Sequence, residues 1–133
     1  MADGRAIDFD AVNQGTYAGL NAITLTKIEA GYIEGEIDIH SSHLNPNGFL
    51  HGGVTTTLAD TLAIFGCVYL YQTTAVSTVN LNVSFLRPVK AGTITAKGRN
   101  LSKGKHVSQW RVELFDSSVA RFAEAIITVA VSK

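Results

Sequence analysis

Hydrophobic and polar positions alternate with a period of two early in the chain, lose that period in its middle third, and recover it from Val76 onward. Residues 24–28 and 32–39 alternate around Gly31, with Ile33, Ile37 and Ile39 opposing Glu34, Glu36 and Asp38, which predicts an antiparallel hairpin. Residues 53–71 are rich in Leu, Ala, Ile, Val and aromatics on every side, the mark of a helix enclosed by other structure. After it Val79, Leu81, Val83 and Phe85 are expected on one strand face, and Thr78, Asn80, Asn82 and Ser84 on the other. A break from Pro88 to Gly92 precedes three further strands, at residues 93–99, 106–115 and 119–131. A short helix is expected near residues 9–17. The order is two strands, one helix and four strands, an α+β chain in which an antiparallel sheet wraps around one long central helix.

Composition narrows this little. With 133 residues, 46% hydrophobic and 17% charged, the chain reads as one globular domain over residues 1–133. The first five residues have neither a basic nor an apolar signal region, so the cytosol is the expected compartment. The apolar run from Leu62 to Tyr71 is short for a membrane span, and no membrane partner is expected. The single cysteine, Cys67, excludes an internal disulfide and reads as a buried, inert thiol. Charge sums to zero but is uneven. Residues 1–60 carry eight acids against Arg5 and Lys27, a net −6, and the remainder carries nine bases against Glu113, Asp116 and Glu124, a net +6. The basic half suits an anionic ligand, while the lack of a basic helix or basic–aromatic interleaving argues against nucleic acid. His40 and His43 are followed by no third metal ligand and read as surface histidines, so no metal is expected.

The most informative stretch is the turn cluster Asn45-Pro46-Asn47-Gly48 followed by His51-Gly52-Gly53 and a helix carrying Asp60 two turns in. A carboxylate in an apolar helix is expensive to bury and points to chemistry. The order of elements, the motif Asn45…Gly48…His51-Gly52-Gly53…Asp60, and Phe85-Leu86-Arg87-Pro88 with Gly92 after it together resemble the hotdog-fold acyl-CoA thioesterases, in particular the phenylacetate-degradation type. The resemblance covers nearly the whole chain. It implies an acyl-CoA or aryl-CoA substrate, sites shared between the subunits of a homodimer, dimers often paired into tetramers, and no cofactor beyond the coenzyme A of the substrate. It also carries Thr78 onto a hydroxyl position near the partner's carboxylate.

Hydrolysing a thioester takes a donor for the developing oxyanion and either a nucleophile or a base that activates water. Gly53, at a helix start, offers an unpartnered N–H reinforced by the helix dipole. Asp60 supplies the carboxylate, and Asn45 holds the thioester or the water. Gly53 and Asp60 share a helix face but are seven residues apart, roughly 10 Å along the axis at about 1.5 Å per residue. They are too distant to meet at one carbonyl carbon, so the site is expected to cross a two-fold interface. His51, Gly52 and Asn80 join the expected substrate-contacting positions, and Arg87, Lys90, Lys103 and Lys105 are the candidates for the phosphates of coenzyme A.

Two other functions fit the same pattern. A hydratase or dehydratase of acyl thioesters would pair a histidine with an acid, for which His51 and Asp60 are the candidates, but the proline-rich surroundings of the carrier-protein dehydratases are missing. A non-catalytic acyl-CoA-binding protein would ordinarily carry a DNA-binding segment, and none is expected in 133 residues taken up by the fold.

Overall fold

The computed structural model describes residues 8–132. Two short helices, α1 (Phe9–Asn13) and α2 (Tyr17–Leu20), stand where one was expected. Gly15, at φ +77°, breaks the run, and the Thr16 hydroxyl starts the second helix by accepting from the Gly19 N–H. The predicted hairpin is β1 (Thr24–Glu29) and β2 (Tyr32–Asp38), turned at Gly31 with φ +86°. A single 3-10 turn at Ser41–His43 leads through the glycine-containing loop to α3 (Gly52–Tyr71). Then come β3 (Val76–Phe85), β4 (Thr93–Lys103), β5 (Val107–Phe115) and β6 (Arg121–Val131).

All strand pairings are antiparallel, in the order β1-β2-β4-β5-β6-β3, so β1 and β3 form the free edges. The helix lies across the concave face and touches all six strands. Its sheet-facing stripe of Thr55, Leu58, Leu62 and Gly66 is buried, as are Ile33, Ile37, Ile94, Trp110, Val112, Leu114, Ile127 and Val129 beneath it. This arrangement is the expected hotdog architecture. By length and composition α3 could cross a membrane, yet half of its most apolar window is buried inside this fold.

The helix is less enclosed than its composition suggested. Nine of its 20 residues are buried, all from the sheet side and its flanks. The opposite face is partly covered by the N-terminal segment, where the Phe9 ring stacks on Phe65 at 4.4 Å. Strand β3 also departs from the expected alternation. A register shift between Thr78 and Asn80 makes a bulge at Val79, so Thr78 and Leu81 both turn inward while Val79 is 60% exposed.

Cys67 is buried, as expected, and burial raises the pKa of its thiol despite hydrogen bonds to Ser108 and Trp110. The Trp110 indole N–H donates to Ser108 Oγ at 2.9 Å and approaches Cys67 Sγ at 3.0 Å, which fixes the ring under the helix. Gly66 passes directly over that ring, and a Cβ there would lie 2.6 Å from Trp110 Cη2. Gly66→Ala gains about 1 kcal/mol of helix propensity but overpacks the helix–sheet contact by more. A net loss of about 1–2 kcal/mol is the expected outcome, read as a lower urea midpoint with an unchanged m-value.

Candidate active site

The loop before α3 is held from both ends. Leu50 N–H donates to Val89 O at 2.7 Å, and His51 N–H donates to His43 O at 2.8 Å. Inside the loop, Asn45 Oδ1 accepts from the backbone of Asn47 at 3.0 Å and of Phe49 at 3.1 Å, an Asx-type turn closed by Gly48 at φ +83°. The amide oxygen of Asn45 is therefore committed to the loop. Its NH2 group is what remains for a substrate or water.

Gly53 is at the helix start as expected, but its N–H is not unpartnered. It donates to Nδ1 of His51, the N-cap residue, at 2.8 Å. That bond assigns the imidazole proton to Nε2. Because His51 is exposed, its ring can turn away, and the donor then becomes available. Within one chain His51 serves the helix start and lies nine residues from Asp60, about 13 Å along the helix at about 1.5 Å per residue, so a hydratase pairing of the two would also have to cross subunits.

Asp60 faces away from the sheet, and its Oδ1 accepts from Thr78 Oγ1 at 2.5 Å. The bulge at Val79 allows this contact by keeping Thr78 on the inner side of β3. The resemblance implied that Thr78 stands near a partner's carboxylate, whereas it binds the Asp60 of its own chain. Carboxylate and hydroxyl thus form one unit. The threonines preceding Asp60 are occupied by the helix, Thr56 Oγ1 donating to Gly52 O at 2.8 Å and Thr57 Oγ1 to Gly53 O at 2.7 Å.

The candidate residues line three separate recesses. Asn45, Gly52 and Arg87 share a cleft of about 510 Å³ with Phe85, whose ring packs against Gly52. His51 and Gly53 share a second of about 410 Å³ with His43. Asp60 lines a third of about 460 Å³ beneath the N-terminal helices. Phe65 and the N-terminal segment line it too, whereas Leu62 is fully buried against the sheet. Asn80, beyond the bulge, is exposed and pairs with Thr128. The four cations are not brought together. Arg87 lies at the α3 N-terminal end, Lys90 stacks over Phe49 at 5.1 Å, and Lys103 lies over Tyr71 at the opposite end, with Lys105 just past Gly104. The helix between these two ends is about 28 Å long at about 1.5 Å per residue, so one phosphate cannot meet all four in one chain.

His43 was expected at the surface and is buried, 4% exposed. Its Nδ1 accepts the His40 N–H at 3.0 Å while its carbonyl holds the His51 N–H. It lies five residues past the end of β2, and no local pattern marks it for burial.

The thioesterase superfamily model matches residues 47–123. The chain is 28% identical over 123 residues to the proofreading thioesterase EntH of Klebsiella pneumoniae, covering 92% of this chain and 90% of that protein. It is 27% identical over 103 residues to human acyl-coenzyme A thioesterase 13, with 77% and 74% covered. To the 1,4-dihydroxy-2-naphthoyl-CoA hydrolase of Listeria monocytogenes it is 26% identical over 112 residues, with 84% and 91% covered. A solved thioesterase from Haemophilus influenzae superposes with TM-score 0.88 at 19% identity, covering 95% of this chain and 91% of that one. The Escherichia coli PaaI protein from the phenylacetic acid degradation operon superposes with TM-score 0.84 at 22% identity, covering 92% and 89%.

Burial, and secondarily the neighbouring His40, lowers the His43 pKa below its ordinary value. The unfolded chain then binds a proton near pH 6.5 that the folded chain refuses, so this contribution to stability is complete above about pH 6.5 and is lost as pH falls toward the folded pKa. His43→Asn, which keeps an acceptor for the His40 N–H, should flatten the fall in stability between pH 7 and 5 seen in denaturant titrations. An unchanged slope would assign the fall to other groups.

Proposed function

The chain belongs to the thioesterase superfamily and is a thioester hydrolase, and on that premise we propose that it hydrolyses an acyl- or aryl-coenzyme A at a site built from two subunits. The observation that carries this is the separation of the oxyanion donor from the carboxylate. Gly53 and the Asp60–Thr78 pair occupy different recesses of one chain, on one helix and roughly 10 Å apart axially at about 1.5 Å per residue. A two-fold axis that sets Gly53 of one subunit against Asp60 of the other resolves the distance. The free edge of β3 supports such an axis: its ten residues hold no charge and no proline, the usual protections of an unpaired edge.

In this reading the thioester oxygen displaces His51 from the Gly53 N–H as negative charge develops on it, and the Asn45 amide holds the thioester or the water. Asp60 attacks the carbonyl carbon directly or removes a proton from the attacking water, while Thr78 holds its Oδ1. The C–S bond breaks, coenzyme A leaves as thiolate and takes up the proton, and the net change is thioester plus water to acid plus thiol. A donor and a carboxylate suffice for these steps, so the reading calls for no cofactor. Arg87, beside Asn45 and Gly52, is positioned to meet a phosphate of the coenzyme, with Lys90 near it. Arylacyl substrates are favoured by the likeness to the dihydroxynaphthoyl-CoA hydrolase.

A free-thiol assay over aryl-, short-chain and long-chain acyl-CoAs tests the activity, and subunit mixing tests the site. Asp60→Asn keeps an acceptor for Thr78 and should fold, with kcat reduced on the order of a hundredfold or more. Gly53→Val should also fold, because a Cβ there meets only the exposed His51 ring, at 2.9 Å. Each protein should be nearly inactive alone. After exchange, half of the dimers are mixed and each has one intact site, so about a quarter of wild-type activity should return. Heterodimers seen by native mass spectrometry without recovered thiol release would sink the shared site.

A further inference from the structure

The cations of the C-terminal half are divided in a way that one chain does not explain. Between Asp60 and Glu113 the sequence holds seven bases and no acid. Three of them are engaged on the outer face of the sheet, where Arg111 pairs with Glu124, Arg99 lies over Tyr32 and Lys97 lies over Phe115. The other four, Arg87, Lys90, Lys103 and Lys105, are exposed and form no salt bridge among the described residues. They gather at opposite ends of α3. At the far end the Tyr71 hydroxyl donates to Gly104 O at 2.7 Å, which ties the turn carrying both lysines to the last residue of the helix.

A two-fold arrangement regroups them. An axis parallel to the helices would leave Gly53 level with Gly53 of the second subunit, so an axis that sets it level with Asp60 crosses the helices and runs them antiparallel. Tyr71 lies eleven residues past Asp60, about 16 Å along the helix at about 1.5 Å per residue. The Lys103 turn of one subunit therefore stands about 16 Å beyond Gly53 of the other, on the side where that other subunit's own Arg87 and Lys90 lie. Coenzyme A can span this gap. Its arm between the sulfur and the first phosphate is about thirteen bonds long, and an extended chain advances about 3.3–3.6 Å per three bonds, which gives about 15 Å. We propose that each coenzyme A lies along this antiparallel seam, its phosphates held by Lys103 and Lys105 of the subunit that supplies Asp60 and by Arg87 and Lys90 of the subunit that supplies Gly53. A helix C-terminus by itself repels anions, and the two ammonium groups reverse the sign there. This assignment rests on the shared site and adds which chain holds which end of the coenzyme.

Mixed dimers test the division. When Gly53→Val and Asp60→Asn chains pair, the one intact site takes Asp60 from the first chain and Gly53 from the second. Lys103→Gln together with Lys105→Gln, placed in the Gly53→Val chain, should raise KM for an acyl-CoA about threefold or more over the unmodified mixture, with kcat within about twofold. The same pair placed in the Asp60→Asn chain should leave KM unchanged. Arg87→Gln should show the reverse dependence on chain. The N-acetylcysteamine thioester of the same acyl group, which lacks the phosphates, should respond to none of these changes. Equal effects from either chain, or a KM for the acyl-CoA that ignores every change, would overturn the proposal. Demonstrated heterodimers that release no thiol would remove the shared site, and this division with it. The homodimer carrying Lys103→Gln and Lys105→Gln then still shows whether the lysines hold phosphates, because only in that case does its kcat/KM fall for the acyl-CoA and not for the N-acetylcysteamine thioester.

Discussion

At Gly66 the central helix runs so near the Trp110 indole that a Cβ would lie 2.6 Å from the ring, and at Gly35 the sheet rises to Leu62 so closely that a Cβ would lie 2.9 Å from it. Two glycines, one on each partner, set the distance between helix and sheet. The small residues Ala96, Ala123 and Ala125, all fully buried, continue that low surface along the sheet. Close packing of this kind also fixes rotation. With Thr55, Leu58, Leu62 and Gly66 facing the sheet, the stripe of Gly53, Thr57, Asp60 and Ile64 faces away from it. A slip by one residue turns the helix about 100° and would carry Asp60 toward the apolar core, at a cost of several kcal/mol for an uncompensated charge. The functional face is therefore set by the structural one.

On that outer face the carboxylate is held by a neutral group. Thr78 fixes one oxygen of Asp60, and the salt bridges among the described residues, Arg111–Glu124 and Arg121 with Glu113 and Glu124, lie on β5 and β6 away from it. A lysine or arginine at position 78 would have locked the carboxylate into an ion pair. A hydroxyl orients it and leaves its charge uncompensated by a cation, which suits a base or nucleophile better than a structural anchor. The bulge at Val79 is what makes the contact geometrically available, at the free edge of the sheet.

The hairpin, the long helix and the four later strands were legible because each has a strong period or a clear break: Ile33 and Ile37 are fully buried, and Gly31 and Gly92 take positive φ where turns were expected. The helix start and Asp60 were legible because glycine pairs and an isolated carboxylate are conspicuous in an apolar run. What escaped was whatever depends on an irregularity or a distant partner. The alternation of β3 reads smoothly through Val79, and only pairing with β6 reveals the bulge that reverses Thr78. His43 is buried because a loop eight residues later folds back onto it, which no local pattern reports. The cations of the C-terminal half share a sign but not a place, since sequence charge does not say which end of a strand lies near which end of the helix.

The bond between His51 and Gly53 refines what a helix start can contribute to thioester hydrolysis. Within the chain the cap satisfies an N–H that would otherwise face water, a contribution of about 1 kcal/mol. On the proposed reading a substrate must break that bond to reach the donor. A thioester carbonyl is a weak neutral acceptor and gains little by the exchange. An oxyanion accepts a charge-assisted bond, worth about 1.5–3 kcal/mol, and more where the helix dipole adds to it. The displacement of His51 is therefore favoured as negative charge develops and not when substrate first arrives. Such a cap would make the Gly53 N–H bind the transition state in preference to the ground state, which is the condition under which binding energy accelerates the chemical step.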